Sequence, residues 1–293
     1  MNPLLAAWLC WGIIGISPIA GHYAATVINP VLLVFCATLL ACLSFTPYLN
    51  KKNQWSVLFA KETRWKFLFI GTFGTAFSFS VLLWALHYTT ATNAAILQQS
   101  ELIYALLFSV LFLKEKPKCS QFFASALILI GSLLILIKEQ YSPRWTGDLM
   151  ILGSTWMLQA ASCVAKKLPK HLDYRTIAAA RNFYALPALT ILLVWQFYQE
   201  GVYCHLNFTS LTVIFYTGVL KYGLAMILWY QAIRMLDLAK VSAIYLSYPV
   251  LTFSLSVLLG LEKTQPYQFV GLLLSLAGSY LISNILKKQQ EHS

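Results

Sequence analysis

Long apolar stretches, separated by short polar segments, follow one another along almost the whole chain. An α-helix needs about 20 apolar residues to cross roughly 30 Å of hydrocarbon. The pattern predicts ten transmembrane helices, at 3–20, 30–49, 66–86, 91–113, 119–138, 146–165, 176–196, 209–233, 238–260 and 266–286. Because little chain remains for a soluble domain, we expect an all-α integral membrane protein.

Composition and charge support a membrane protein and indicate its orientation. Of the 293 residues, 59% are hydrophobic and 11% are charged, whereas about a quarter are charged in soluble domains. Of the 21 Lys and Arg residues, sixteen lie on alternate loops or the C-terminal tail, and the other loops hold only Lys138, Arg144 and Lys263. By the positive-inside rule, this distribution predicts that both termini are cytoplasmic. The net charge of +11 therefore indicates topology, and we expect no nucleic-acid partner.

The two halves of the sequence are related by a shift of 147 residues. Residues 85–135 then align with 232–282 without a gap, and 15 of 51 pairs are identical. The alignment predicts two five-helix repeats, 3–138 and 146–286, and an odd number of helices inverts the second copy. Loop charges agree, since 50–66 is rich in Lys and Arg and its counterpart 198–208 has neither. Inverted repeats recur in secondary transporters, with the site near the midplane.

Several short motifs resemble one transporter family. They are "AWLCWG", "WALHYTTATNAAIL", "LLFSVLFLKEKP" and "GSLLIL" in the first half, and "YQAIRMLDLAKVSAI", "LSVLLGLEKTQP" and "GSYLI" in the second. Over essentially its whole length the sequence resembles the EamA-like branch of the drug/metabolite transporter superfamily. The resemblance implies a ten-helix carrier of small metabolites in a bacterial inner membrane, working by alternating access.

Two ionisable residues fall at the centres of predicted helices, Glu101 and Lys221. A charge at that depth costs from about 2.5 to well over 10 kcal/mol, so each must face protein or water. Such residues are functional candidates, although a structural ion pair between the two halves is an alternative. Arg181 lies nearer a helix end, and we expect its side chain to reach the headgroups. Glu115 and Glu262, at helix ends beside basic residues, are expected to be structural.

A polar stripe extends the candidate site around Glu101. Gln98, Glu101 and Phe108 share one helical face with Tyr104 beside it, and the repeat maps Gln98 to Tyr245 and Glu101 to Tyr248. Two equivalent stripes predict a lined cavity. Tryptophans could complete its wall or form an interfacial belt. The predicted substrate-binding residues are Glu101, Lys221, Gln98, Tyr104, Tyr245, Tyr248, Trp11 and Trp84.

The chemistry of these residues favours a zwitterionic substrate. Glu101 would contact an ammonium or sulfonium group or carry a proton, Lys221 would contact a carboxylate, and aromatic faces would take a ring or a cation. We expect an aromatic amino acid or an S-adenosylmethionine-like molecule, moved by exchange for a counter-substrate or with protons. No cofactor or metal is expected. Two alternatives are a proton-coupled exporter of drugs or toxic metabolites and a membrane enzyme that uses Glu101 as a buried acid.

Overall fold

Helices form nearly all of the chain that the computed structural model describes, which is residues 1–24, 27–85, 88–89, 91–137, 144–199, 201–260 and 265–291. Six long helices are continuous: α1 (Pro3–Ala24), α2 (Pro30–Lys51), α5 (Cys119–Leu136), α6 (Trp145–Lys166), α7 (Tyr174–Gln199) and α10 (Pro266–Glu291). A four-residue helix, Trp55–Leu58, follows α2. Lys138, Glu262, Lys263 and the predicted helix ends at 86 and 138 lie outside the described residues.

Four further helices are interrupted within their apolar length. Helix α4 consists of Ala91–Gln98 and Ser100–Leu111, and α9 consists of Leu238–Leu246 and Pro249–Leu258. Each of the other two contains a π-helical segment, in which a backbone N–H bonds five residues back. They are α3 (Arg64–Gly71, the π segment Thr72–Phe77 and Ser78–Ala85) and α8 (Phe208–Phe215, the π segment Tyr216–Ala225 and Met226–Met235).

The all-helical membrane architecture expected from the sequence is confirmed. Nine helices within the described ranges are long and apolar enough to cross a membrane. The segment predicted at 146–165 forms the 22-residue helix α6 but is not one of the nine. Polar residues such as Asp148, Thr155 and Gln159 lower its hydropathy, and all three are buried. The polar face of α6 therefore packs against other helices.

Contacts between loops gather the basic segments at one end of the bundle. Tyr48 Oη donates to Asp173 Oδ2 at 2.8 Å, and Arg234 Nη2 donates to the carbonyl oxygen of Pro169 at 2.7 Å. We call this the basic end; it holds residues 51–66, 114–118, 166–175 and 234–240. At the opposite end, Asn29 N donates to the Tyr203 carbonyl at 2.9 Å. Among the described residues, these basic segments thus lie at the end of the bundle away from Asn29 and Tyr203.

Helices α5 and α10 pack against each other along their length. A Cβ atom on Gly131 would lie 2.5 Å from Ser275 N and 2.6 Å from Gly271 O, and one on Gly278 would lie 2.7 Å from Ala124 O. Small residues allow this approach of two backbones, which is a common basis of helix packing in membranes. Gly131 and Gly278 are equivalent positions of the sequence repeat.

Candidate functional site

The interruptions of α3, α4, α8 and α9 lie at related positions of the two halves. The shift of 147 residues places Thr72–Phe77 on residues 219–224, inside the π segment Tyr216–Ala225. It also places the break of α4 at Gln99 one residue before the break of α9 at Ser247. Irregular backbone at membrane depth is tolerated where it is buried in protein or lines a cavity. The four interruptions therefore mark a candidate site shared by both halves.

Glu101 lies just after the break of α4 and is 9% exposed. Its Oε1 atom accepts a hydrogen bond from Gln159 Nε2 of α6 at 2.7 Å. The same nitrogen lies 3.5 Å from Ser242 Oγ of α9. Among the described residues, none donates to Glu101 Oε2. The helix dipole at the start of Ser100–Leu111 favours a negative charge here. One oxygen of this carboxylate is therefore available to a ligand.

Two tyrosines flank the break of α9 near Glu101. The ring centroids of Tyr245 and Tyr248 are 6.3 Å apart, and Trp229 lies 5.1 Å from Tyr245. The charge of Glu101 acts on both phenol groups. These residues place aromatic surface within electrostatic reach of the carboxylate.

Lys221 lies in the π segment of α8. Its Nζ atom donates to Ser17 Oγ of α1 at 2.7 Å and lies 5.5 Å from the ring centroid of Phe79 and 5.9 Å from that of Tyr222. Aromatic faces attract an ammonium group at such distances. Glu101 and Lys221 form no ion pair with each other in the described chain, where their hydrogen-bond partners are Gln159 and Ser17. The alternative of an ion pair between them is therefore wrong for this conformation.

Arg181 does not reach the headgroups, so that prediction is wrong. The residue is 7% exposed. Its Nε atom donates to Thr75 Oγ1 at 2.7 Å, Nη2 donates to the carbonyl oxygen of Gly74, and Nη1 contacts the sulfur of Met226 at 2.7 Å. The Gly74 carbonyl and the Thr75 hydroxyl belong to the π segment of α3, and the Met226 sulfur belongs to α8, so all three partners lie inside the bundle. These inward acceptors outweigh the attraction of the headgroups.

The positive charge of Arg181 lies near Glu101 and Lys221, although Arg181 forms no described hydrogen bond with either residue. Its charge acts on both residues and on Tyr245. Among the described residues, the interior around the interruptions thus holds one acidic side chain, Glu101, the buried Arg181 and the partly buried Lys221. The sequence analysis missed the roles of Arg181 and Gln159. Gln159 carried a signal, since it is an amide within a predicted span, but it lies on neither of the two predicted stripes of α4 and α9.

Gln98 and Tyr104 lie on α4 on either side of Glu101. Gln98 Nε2 donates to the Ala94 carbonyl of its own helix at 3.3 Å. The Tyr104 ring lies 6.5 Å from that of Phe108, in an aromatic cluster toward the basic end. Neither side chain is hydrogen-bonded to Glu101, Gln159 or Lys221 in the described chain.

The two predicted tryptophans differ in their surroundings. Trp11 packs edge-on against Trp8, with ring centroids 5.3 Å apart, and its Nε1 atom is buried without a described hydrogen-bond partner. Trp84 packs at the same distance against Trp195, which is 50% exposed. Trp84 therefore lies toward the lipid-facing surface, as a belt residue would, whereas Trp11 lies inside the bundle.

The site is closed toward the basic end. Ser100–Leu111 packs against Leu238–Leu246, whereas the other halves of α4 and α9, Ala91–Gln98 and Pro249–Leu258, make no substantial contact with each other within the described chain. Surface pockets lie elsewhere, one lined by Leu32 and Phe197 among others and one beside Arg64. The helices thus seal the site at the basic end and leave it less tightly sealed at the opposite end.

Glu115 joins three helices at the closed end. Its carboxylate accepts hydrogen bonds from Ser109 Oγ, from Lys166 Nζ at the end of α6, and from Leu238 N at the start of α9, the last at 3.1 Å. Lys166 also donates to the Leu236 carbonyl. These contacts agree with the expected structural role of Glu115 and tie α4 to α6 and α9.

Comparison with known proteins identifies the family. The model of the EamA-like transporter family matches residues 3–137 and again 145–284. The chain belongs to the EamA-like transporter family. It is 25% identical over 284 residues to the uncharacterized inner membrane transporter YhbE of Escherichia coli K12, covering 94% of this chain and 84% of YhbE. It is also 25% identical to the uncharacterized transporter YetK of Bacillus subtilis, covering 76% of this chain and 69% of YetK.

A solved crystal structure shows the same fold as this EamA-like chain. The two superpose with a TM-score of 0.82 over 98% of both chains at 15% sequence identity. With nine apolar helices among the described residues and transporters as relatives, the protein is a multi-pass membrane transporter.

Proposed function

We propose that the protein is a secondary active transporter that moves a small zwitterionic metabolite by alternating access. Its moving parts are two inverted five-helix repeats, 3–138 and 146–286, with α6 as the tenth span. The matching interruptions of α3 with α8 and of α4 with α9 support this plan, because equivalent irregularities in both halves would surround one central site. Basic loops and an inner-membrane relative support placement in a bacterial inner membrane with both termini cytoplasmic.

One observation carries the proposed substrate class. Glu101 and Lys221 are held apart on helices of different halves, and each keeps hydrogen-bonding capacity that its described contacts leave unused. A zwitterion supplies an ammonium group to Glu101 and a carboxylate to Lys221. The rings of Tyr245 and Tyr248 offer a surface for an aromatic or purine group. Aromatic amino acids and S-adenosylmethionine have these features.

The two cationic residues also bear on the rival function, export of cationic drugs. Lys221 and Arg181 lie close enough together in the bundle for the positive charge of one to act on the other. A monocation would be attracted by Glu101 but repelled by these two groups. A substrate that also carries a carboxylate would be attracted by all three. The charge balance therefore favours the zwitterion.

Exchange in proteoliposomes tests this proposal. Uptake of labelled tryptophan and of labelled S-adenosylmethionine would be measured with and without the unlabelled compound inside. We expect Glu101→Gln and Lys221→Met to lower uptake by about tenfold or more, because a hydrogen bond to a charged group contributes about 1.5–3 kcal/mol. Glu62→Gln and Lys287→Met, at exposed positions, are matched controls.

Three outcomes would contradict the proposal. They are uptake of neither compound, wild-type uptake by both site variants, and uptake of cationic drugs that lack a carboxylate in preference to either zwitterion. The last result would favour the exporter. Gel filtration of each variant separates a loss of transport from a loss of folding.

A further inference from the structure

We propose that Gln159 supplies the second acceptor of an ammonium-binding subsite whose first acceptor is Glu101, an inference that rests on the proposed function. The sequence analysis assigned no role to Gln159, which lies in the middle of α6. In this role, Gln159 is a determinant of substrate specificity.

The Gln159 amide is fully buried, and only one of its two polar atoms has a hydrogen-bond partner among the described residues. Its exposed fraction is 0%. The Nε2 atom donates to Glu101 Oε1 at 2.7 Å, whereas the Oε1 atom of Gln159 is buried with no hydrogen-bond partner among the described residues. Buried polar atoms without a partner are uncommon in proteins. Each such atom calls for an explanation, and an absent ligand group is one.

The contact with Glu101 fixes which way the amide points. An ionised carboxylate only accepts hydrogen bonds, so the NH2 group of Gln159 must face it. The amide carbonyl is then left for another donor. Glu101, to which Gln159 is bonded, also has an acceptor without a described partner, its Oε2 atom. Two unused acceptors therefore belong to one bonded pair of side chains.

A primary ammonium group matches this arrangement. It carries three N–H donors and no acceptor, and its charge favours Glu101. Ser242 Oγ, 3.5 Å from Gln159 Nε2, is a third oxygen in the same cluster. The nearby Tyr245 ring adds a face that attracts cations. A sulfonium or quaternary ammonium centre has no N–H and cannot use the Gln159 carbonyl, so the subsite favours a primary ammonium.

Protection of Glu101 from a carbodiimide tests the subsite without requiring transport. Dicyclohexylcarbodiimide modifies buried carboxyl groups, and mass spectrometry of the peptide that contains Glu101 measures the modification. Three probes share one ring system: tryptophan has both charged groups, tryptamine only the ammonium, and indole-3-propionate only the carboxylate. In the wild type we expect protection by tryptophan and tryptamine and none by indole-3-propionate.

Variants of Gln159 assign the effect to its carbonyl. Gln159→Met has a similar shape but no acceptor, and we expect it to need about tenfold more tryptamine for equal protection. Gln159→Glu keeps an acceptor, and a proton shared between the two carboxyl groups replaces the amide N–H, so protection by tryptamine should persist. Gln196→Leu removes another buried amide, in α7, whose carbonyl oxygen also lacks a described partner, and serves as the control.

The outcomes separate this inference from the proposed function. Wild-type protection in Gln159→Met, or equal loss in Gln159→Met and Gln159→Glu, would overturn the role of the carbonyl. Failure of both ammonium probes to protect the wild type would overturn the subsite, whether or not liposomes take up a substrate. Protection without uptake of any zwitterion would sustain the subsite and contradict the transport proposal.

Discussion

Glu115 is expected to hold the basic end of the bundle closed, so that weakening it should open that end. The substitution Glu115→Gln keeps the shape of the side chain and removes its charge. The carboxylate now accepts hydrogen bonds from Ser109, Lys166 and Leu238, which belong to three different helices. The side chains of Glu115 and Lys166 are 11% and 17% exposed, so solvent screens their attraction only weakly.

The size of the effect follows from these three contacts. Hydrogen bonds to a charged group are roughly twice as strong as neutral ones, so neutralising Glu115 removes about 0.5–1 kcal/mol from each. The closed conformation should lose about 2 kcal/mol in total relative to one in which these helices separate. That corresponds to about a thirtyfold rise in the ratio of open to closed molecules.

Cysteine labelling measures this ratio at the basic end. Val241 is 1% exposed in Leu238–Leu246, the half of α9 that packs against α4. Val241→Cys would be introduced after the exposed Cys119 and Cys204 are replaced by serine, and its reaction with a maleimide would be timed. We expect labelling about thirtyfold faster with Glu115→Gln and unchanged with Glu62→Gln, an exposed carboxylate at the same end. An unchanged or slower rate with Glu115→Gln would refute this reasoning.

Two further predictions concern packing and the buried guanidinium. Gly131→Ala should destabilise the protein by about 1–3 kcal/mol, because its Cβ would lie 2.5 Å from Ser275 N. The control Gly153→Ala, whose Cβ would have nothing within 4 Å, should leave the melting temperature nearly unchanged. Equal melting temperatures of the two variants would contradict the observed helix contact. Arg181→Lys keeps the charge but cannot reach Gly74, Thr75 and Met226 together, so we expect a loss of about 1–3 kcal/mol in thermal unfolding, and wild-type stability would show that the three contacts contribute little.

The helices were predictable because their physical signal is local and strong. Apolar length alone placed α1, α2, α5 and α10 within a few residues of where they lie, except for ends extended by polar turns such as that of α10. The interruptions were not predictable in the same way. A π segment replaces one hydrogen-bond pattern by another without changing hydropathy, and of the four interrupted helices only α9 has a proline, Pro249, at its break.

The site was predictable in its charges but not in their partners. Glu101 and Lys221 stand out because a charge in an apolar run is costly. Their contacts with Gln159 and Ser17 depend on which helices become neighbours, and neutral side chains give no comparable signal. The surroundings of Arg181 were predicted wrongly for a different reason. Distance from a helix end suggested the headgroups, whereas Gly74 and Thr75 in a neighbouring π segment provide hydrogen-bond acceptors inside the bundle.

The charges of Glu101 and Lys221, which are not paired with each other, affect how a transporter without substrate could switch back to its other conformation. Each charge buried without a full set of partners costs from about 2.5 kcal/mol upward, and closing both ends around empty Glu101 and Lys221 would remove the water that offsets this cost. A bound zwitterion supplies the missing partners to both groups at once, so the loaded site can be enclosed at lower cost than the empty one. Return of the empty site would require at least a proton on Glu101, and Lys221 would still lack an anion. Under the proposed function, the separation of the two charges would therefore favour exchange of one zwitterion for another over uncoupled flow.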